Sequence, residues 1–424
     1  MREAVERDVD VLVIGAGPAG IAAACEAAEA GLRVVVVDDN PAVGGQIWRG
    51  GPGGASRDAQ PWFERLATSG AEVHGATALI DVRPHDDGPP LIRTRSPAGV
   101  VSWRPRGVIL ATGSRERFLP FPGWTLPGVV GAGALQALVK QGLDVRGRRI
   151  VIAGTGPLLL AVAKLLVDSG GEVVAVAEQA PLLRLAGFAL LLTTRPGKLV
   201  QALGIRRTIG PVLATGTFPV AVRPGEGGSL IVTLASGPPG AERRRELSCD
   251  VLACGFGLVV NLEVARAVGC RVCCGTVAVD EFGRTSAPAV WAAGECTGMG
   301  GVDKSLVDGR LAGLSVAGRH DLAARLLPAA RGWRRFAAGL ERTFELDRRL
   351  AALALPDTIV CRCEDVAAGR LACHRSWREA KLMTRIGMGP CQGRVCGPAA
   401  EALFGWSPDD ARPPLTAVPV GDLA

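Results

Sequence analysis

Cys361-Arg362-Cys363 and Cys391-Gln392-Gly393-Arg394-Val395-Cys396 bring four thiols into one short stretch, as a CxC pair and a CxxxxC pair with 27 residues between them. Four thiolates are the ligand set of a 2Fe-2S cluster. They also suit structural zinc, although zinc sites favour CxxC knuckles on both sides, and neither pair has that spacing. A buried anionic cluster needs hydrogen-bond donors around its sulfurs. Backbone N–H groups near Gly387, Gly389 and Gly393 are suited to that, as are the side chains of Lys381, Arg385 and Arg394. Glu364 and Asp365 open one expected helix, and residues 376–385 form a second.

The other end of the chain carries different chemistry. Residues 10–20 read DVLVIGAGPAG. The apolar run 11–14 is a buried parallel strand. In the GxGxxG that follows, Gly15 permits the tight turn, Gly17 lets the backbone approach a pyrophosphate, and Gly20 allows close helix–strand packing. Pro18 and Ala19 start an alanine-rich helix over 21–30 whose N-terminal dipole faces the phosphates. Residues 33–37 are the second strand, and Asp38 stands 18 residues after Gly20, placed for ribose hydroxyls, with Asp39 beside it. Strand, glycines, helix, strand and acid in register specify a dinucleotide site.

A second such unit starts at strand 149–153. Its loop reads Gly154-Thr155-Gly156-Pro157-Leu158-Leu159, and strand 172–177 with Glu178 completes it. Leu159 replaces the third glycine and is expected to push the helix away from the strand. NAD(P)H, a non-redox adenine nucleotide and an empty scaffold all stay open for this unit. No cysteine lies between Cys25 and Cys249, so no redox-active pair follows either glycine loop. Cys249, Cys254, Cys270, Cys273, Cys274, Cys296 and Cys373 form no CxxC framework and are read as small buried hydrophobes or inert thiols. Cys296, next to Glu295, is expected near the bound dinucleotide. His74, His85, His320 and His374 are scattered and read as surface or core residues rather than general bases.

Length and composition bound the rest. A chain of 424 residues with 48% hydrophobic content holds two or three domains and a large core. Net charge is +7, and all but five of the 48 basic residues are arginine. No basic stretch is studded with aromatics, which argues against nucleic-acid binding. No apolar run reaches the roughly 18–20 residues of a membrane span. The charged residues 1–10 are not a signal peptide, so a reduced, cytoplasmic setting is expected, where cysteines serve metal or redox roles before disulfides. Pro328 begins an expected amphipathic connector carrying Trp333, Phe336, Leu340 and Phe344 at helical spacing; it is read as packing on the N-terminal dinucleotide domain, with a partner-binding helix as the alternative.

Gly44-Gly45-Gln46, VILATG at 108–113, and VWAAGE at 290–295 followed by Gly300-Gly301 resemble the two-dinucleotide-domain flavoproteins that include glutathione reductase. The resemblance implies FAD, with contacts from Gly44, Gly45, Gln46, Ala78, Ala111, Thr112, Gly113, Gly294, Glu295, Gly301 and Val302. Glu295 stands where that family usually has Asp. CRCE…TRIGMGPCQGRVC resembles the bacterioferritin-associated-ferredoxin-like 2Fe-2S domain, which makes Cys361, Cys363, Cys391 and Cys396 the ligands.

Longer stretches at 111–129, 153–166, 253–270 and 292–313 are similar to one subfamily: the A subunits of opine oxidases, the alpha subunits of hydroxyproline and proline dehydrogenases, and the B subunits of hydrogen cyanide synthases. The fold this implies is α/β, with two glutathione-reductase-like Rossmann domains, the second inserted in the first, and a small helical 2Fe-2S domain. The expected boundaries are 1–125 and 246–326 for the FAD domain, 126–245 for the insert, 327–356 for the connector, 357–404 for the cluster domain and 405–424 for an extended tail. The resemblance further implies ATP or another adenine nucleotide in the insert. It implies a catalytic partner flavoprotein resembling D-amino-acid or sarcosine oxidase, an FMN at a subunit interface in some members, and a small ferredoxin-like subunit. The substrate would be a secondary amine or amino acid of opine, proline, hydroxyproline, sarcosine or glycine type. Two other readings stay open: a stand-alone NAD(P)H-dependent reductase, which Glu178 favours and Leu159 opposes, and a non-enzymatic redox sensor or scaffold. Lys304, after the GGVD turn, has no assigned role.

Overall fold

The structure, a computed structural model, describes residues 5–54, 58–83, 88–408 and 411–422; His85 lies outside them. Two compact units emerge. Unit 1 takes the chain up to Arg115, then Val260–Ala338, then the tail beyond Pro408; unit 2 takes Glu116–Val259 and Gly339–Pro408.

Unit 1 begins with β1 (Val5–Ile14), α1 (Pro18–Glu29), β2 (Val34–Val37), α2 (Gln60–Thr68), β3 (Glu72–His74), β4 (Ala78–Arg83), β5 (Leu91–Ser96) and β6 (Gly99–Leu110). The four valines of β2 are all buried, as a strand covered on both faces requires. The sheet order is β3-β2-β1-β6-β5-β4. The first four strands run parallel, and β6, β5 and β4 form an antiparallel meander. Proline at the first position of α1 follows Gly17 as its N-cap, where a missing N–H costs nothing.

After β7 (Ser114–Glu116), unit 2 builds its own parallel sheet. Its elements are β8 (Val129–Gly131), α3 (Ala132–Lys140), β9 (Arg149–Thr155), α4 (Pro157–Asp168), β10 (Glu172–Glu178), α5 (Leu182–Leu192), α6 (Pro196–Ile209) and β11 (Leu213–Thr215). An antiparallel trio follows, β12 (Thr217–Pro224), β13 (Leu230–Ser236) and β14 (Arg243–Cys249), and then β15 (Val251–Phe256) and β16 (Leu258–Val260). The order β11-β10-β9-β15-β8 puts β15 between β9 and β8. The crossings between units therefore fall at Glu116 and Val259, rather than at the expected 126 and 245: β15 cannot leave the sheet it pairs in.

The chain returns to unit 1 with α7 (Glu263–Ala267), the hairpin β17 (Val272–Cys273) and β18 (Thr276–Val277), β19 (Val290–Ala292) and α8 (Gly301–Val316). β19 pairs in parallel with β6, setting Val290 against Val108 and Ala292 against Leu110. Helix α9 (His320–Thr343) starts eight residues before the connector expected from Pro328 and carries that proline inside it. Its earlier part contacts unit 1 through Arg331 and Glu281, 3.0 Å apart. From Gly339 on, the connector packs in unit 2 rather than on unit 1 as expected: Phe344 meets Phe188 edge-on at 5.3 Å.

Helix α10 (Arg348–Ala351) leads to the cysteine-rich segment, built from β20 (Ile359–Cys361), β21 (Val366–Ala367), α11 (Ala368–Leu371), α12 (Trp377–Thr384) and α13 (Cys396–Phe404). Glu364 and Asp365 do not open a helix. They form the β20–β21 turn, with Asp365 at φ 49°, and the helix waits until Ala368. Ser376 caps α12 by accepting the Glu379 N–H at 3.2 Å. Trp124 Nε1 donates to Ile359 O at 2.6 Å, and Leu350, Val395 and Ala402 share a core with Trp124. In unit 1 the tail lies along edge strand β4, where Leu415 N–H donates to Ile80 O at 3.0 Å. Among the described residues, no helix is long and apolar enough to cross a membrane.

Candidate cofactor sites

Three carbonyl-lined turns of unit 1 meet at the C-terminal ends of β1, β6 and β19. A Cβ on Gly15 would stand 2.3 Å from Ala111 O, one on Gly20 1.8 Å from Gly15 O, and one on Gly294 2.6 Å from Ala19 Cβ. Only glycine lets these turns close. Gly44 N–H donates to Ala16 O at 2.8 Å, which lays the Gly44-Gly45-Gln46 turn across the first loop. Gly45 then sits so near that its Cβ would be 3.0 Å from Gly17 Cα. The Thr112-Gly113 turn is held by Asn261, whose Nδ2 donates to Thr112 O at 2.8 Å and whose N–H donates to Gly113 O at 3.1 Å. Glu295 accepts a hydrogen bond from Ser114. Ala78 opens β4 directly after Thr77, whose N–H donates to Asp38 O at 2.7 Å.

Helix α1 has no side-chain cap and no acid in its first turn. Its N-terminal N–H groups and dipole are thus arranged for an anion. Above Gly17 and Gly113 the backbone is bare: a Cβ on Gly17 would meet nothing nearer than 3.9 Å, and one on Gly113 nothing within 4 Å. Arg49, unmarked by any motif, donates from Nη2 to Gln46 Oε1 at 2.5 Å, while its Nε is buried without a partner. An orphaned guanidinium N–H in this turn needs an acceptor that the described protein groups do not supply. Bare glycines, an uncapped helix and an unmatched donor fit a dinucleotide such as FAD.

Asp38 behaves differently from the expectation. Its Oδ2 accepts the Ala16 N–H at 2.5 Å, and its Oδ1 accepts from the N–H and Nδ2 of Asn40, both at 2.8 Å. Buried and engaged three ways, it braces the glycine loop. Asp39, beside it, is exposed and accepts from Asn40 Nδ2 at 3.0 Å.

Unit 2 repeats the device. Glu178 accepts the Gly156 N–H at 2.8 Å, the Ala180 N–H at 2.8 Å and the Thr155 hydroxyl at 2.9 Å, and burial pushes its carboxyl up. Leu159 is buried rather than displaced. A Cβ on Gly255 would lie 3.1 Å from Leu159 Cδ2, so the missing side chain on β15 makes the room that the first unit's Gly20 provides on the helix. Helix α4 is uncapped and free of acids in its first turn, like α1.

Lys304 acquires a role. It is 2 % exposed, and its Nζ donates to Gly294 O at 3.0 Å, to Thr297 Oγ1 at 3.0 Å and to Asp308 Oδ2 at 2.7 Å. The ammonium ties the Gly294–Thr297 turn to the helix that starts at Gly301. Val302, one position on, packs against the core around α1. Cys296 is sealed beneath the turn, its thiol donating to Ala293 O and Leu110 O, and burial pushes it up to about 12. It is an inert thiol.

The four C-terminal cysteines come together. Cys361, Cys363, Cys391 and Cys396, with Arg362 and Val395, line a cavity of about 200 Å³. Cys396 hydrogen-bonds both Cys361 and Cys391; by accepting, Cys361 falls to about 6 and Cys391 to about 4, while Cys396 is raised. Backbone N–H groups of Gly387, Glu364 and Cys363 aim at the Cys361 sulfur, and those of Val395 and Gly393 at Cys391. Gly389 contributes space instead: its Cβ would be 2.3 Å from Cys363 Cβ. Arg385 turns to Glu364 at 2.7 Å, and Arg394 reaches Gln392 at 3.0 Å. Among the described residues, no three His, Cys, Asp or Glu side chains close on one point as a single-ion site. Sulfurs ringing a cavity, with amide dipoles favouring thiolate at Cys361 and Cys391, fit a small iron–sulfur cluster in donor type and number. The ring is uneven: Cys361 and Cys396 are buried, Cys391 is half-buried and Cys363 is exposed.

Residues 9–320 match the model of the pyridine nucleotide-disulphide oxidoreductase family. The A subunit of opine oxidase from Rhizobium meliloti is 31% identical, over 98% of each chain. The HcnB subunit of hydrogen cyanide synthase from Pseudomonas aeruginosa is 30% identical, over 91% of this chain and 90% of that one. Among solved structures, an L-proline dehydrogenase from P. horikoshii superposes over all of this chain and 81% of its own, with TM-score 0.69 and 19% identity, which speaks to the fold. The chain belongs to the pyridine nucleotide-disulphide oxidoreductase family, beside the A subunits of opine oxidases, and is an FAD-dependent oxidoreductase.

Proposed function

We propose that the chain is the electron-relaying, alpha-type subunit of a heteromeric flavin dehydrogenase that oxidises a secondary amine or amino acid. The observation that carries this is the four-sulfur ring on a chain whose other end is a flavin cradle. Relatives named as subunits of opine oxidase and hydrogen cyanide synthase support a partner. FAD and a 2Fe-2S cluster, when bound, supply hydride and one-electron chemistry. The chain's own residues do the holding. Gly15, Gly17, Pro18, Ala19 and Gly20 receive the pyrophosphate at α1, and Asp38 keeps that loop in shape. Asp39 takes the ribose hydroxyls. Gly44, Gly45, Gln46, Ala78, Ala111, Thr112, Gly113, Gly294, Glu295, Gly301 and Val302 line the remaining pocket, and Arg49 donates its unmatched N–H to the nucleotide. Cys361, Cys363, Cys391 and Cys396 ligate the irons.

In unit 2 the carboxylate that would meet a nicotinamide nucleotide's ribose is consumed by the loop. This weighs against NAD(P)H and leaves α4 able to receive phosphates, as an adenine nucleotide such as ATP would present. The same proposal includes an FMN, a catalytic flavoprotein partner and a small ferredoxin-like subunit.

Anaerobically purified chain should contain one FAD, two irons and two acid-labile sulfides. Its flavin should resist NADH and bleach with an amine substrate only after a D-amino-acid-oxidase-like partner is added. Zinc in place of iron, or rapid bleaching by NADH alone, would overturn the reading.

A further inference from the structure

Hairpin β17–β18 carries two adjacent thiols that neither cofactor site uses. Cys273 ends β17, and Cys274-Gly275 is the two-residue turn into Thr276. Cys274 has φ +53° and Gly275 φ +73°. Both central positions are left-handed, as a type I′ hairpin turn demands, and Asn-Gly or Asp-Gly is the usual sequence there. Cysteine at the first position is held in a region that residues with a Cβ avoid, and such departures gather at functional sites. The conformation sets the two sulfurs 3.5 Å apart, both exposed. The base is firm: Thr276 Oγ1 donates to Cys273 O at 3.0 Å, Val272 pairs with Val277, and both valines join the flavin-unit core.

We propose that Cys273 and Cys274 form a bidentate site for a thiophilic centre of the trivalent-arsenic type. Sulfurs 3.5 Å apart can share one atom about 2.3 Å from each, the length of a metal–thiolate bond. Bonding to each other is disfavoured, because neighbouring Cα atoms sit about 3.8 Å apart and an unstrained disulfide needs roughly 4.4–6.8 Å. With an arylarsonous acid, two S–As bonds form and two As–O bonds break. The thiol protons leave with the hydroxyls as two waters, and no electrons move.

The test uses the intact, cofactor-loaded protein and phenylarsine oxide, read by native mass spectrometry. One phenylarsenic per chain should survive excess 2-mercaptoethanol and leave with a dithiol such as dimercaptopropanol. Cys273→Ser and Cys274→Ser should each abolish that retention with flavin absorbance unchanged. Cys274→Asn, which suits the turn, should lose it too while melting no lower than the parent. Cys373, an exposed single thiol, gives only adducts that a monothiol reverses. Retention in either serine variant, reversal by monothiol in the parent, or parent protein isolated without reductant two mass units light from a Cys273–Cys274 disulfide would each refute the site.

Discussion

Lys304 shows how one buried charge can set a cofactor turn. Its ammonium is satisfied by a carbonyl, a hydroxyl and the Asp308 carboxylate. Removing one partner of such a pair leaves the other buried and uncompensated, at about 3–5 kcal/mol. Lys304→Met should therefore lower the melting temperature sharply, and Asp308→Leu in the same chain should recover much of the loss; equal losses in single and double variants would contradict the pairing. Arg49→Met should weaken FAD retention about 10–100-fold in equilibrium dialysis, the worth of one charged hydrogen bond. Asp39→Asn should weaken FAD without changing the melting temperature of the flavin-free protein, whereas Asp38→Asn should lower both. The glycine loop is legible in the sequence because its spacing is local. Which acid braces and which faces outward is not, because a position in sequence carries no side-chain direction. Asn261 and Arg49 escape for a related reason: Asn261 clamps a turn 149 residues away, and Arg49 shows itself only through an unmatched N–H.

At the scale of elements, α1 and α8 approach by backbone contact. A Cβ on Gly309 would stand 2.2 Å from Ala19 O, and one on Gly313 2.4 Å from Ala23 O. Glycine-to-alanine changes inside a helix ordinarily stabilise by about 0.5–1 kcal/mol. Here Gly309→Ala and Gly313→Ala should destabilise by about 1–3 kcal/mol through overpacking, a reversal of sign that a denaturant titration reads directly. In unit 2, burial holds Glu116 above the ordinary carboxylate range, against the opposing N–H groups of Gly133 and Ala134. A raised folded value means the stabilising form is the protonated one: its contribution is full below about pH 4.5 and is lost as pH rises through the folded value. The urea midpoint of the parent should thus fall relative to Glu116→Gln as pH rises from 4.5 to 7. Leu159 alone marks the second loop as altered in the sequence. How the fold accommodates it stays hidden there, because the compensating Gly255 lies on a strand almost a hundred residues on.

Across the whole molecule one nucleotide-binding plan is used twice, with Gly255 on β15 making the room in the second copy that Gly20 makes in the first, and the cysteine-rich segment groups with the second copy. The fold class and the four clustered sulfurs can be read from motif spacing. Their depth cannot, since burial is decided by which elements cover them. Gly389→Ala, which crowds Cys363, should lower iron content per flavin as measured by metal analysis, with FAD content unchanged. The sealing of Lys304 has a practical corollary. The remaining lysines, at 140, 164, 198 and 381, all belong to unit 2 and reach the surface. Amine-directed crosslinkers or immobilising resins will therefore take hold of side chains in the nucleotide-insert and sulfur-bearing half. In unit 1 such reagents find no accessible lysine, and any neighbour captured through one reports on unit 2 alone.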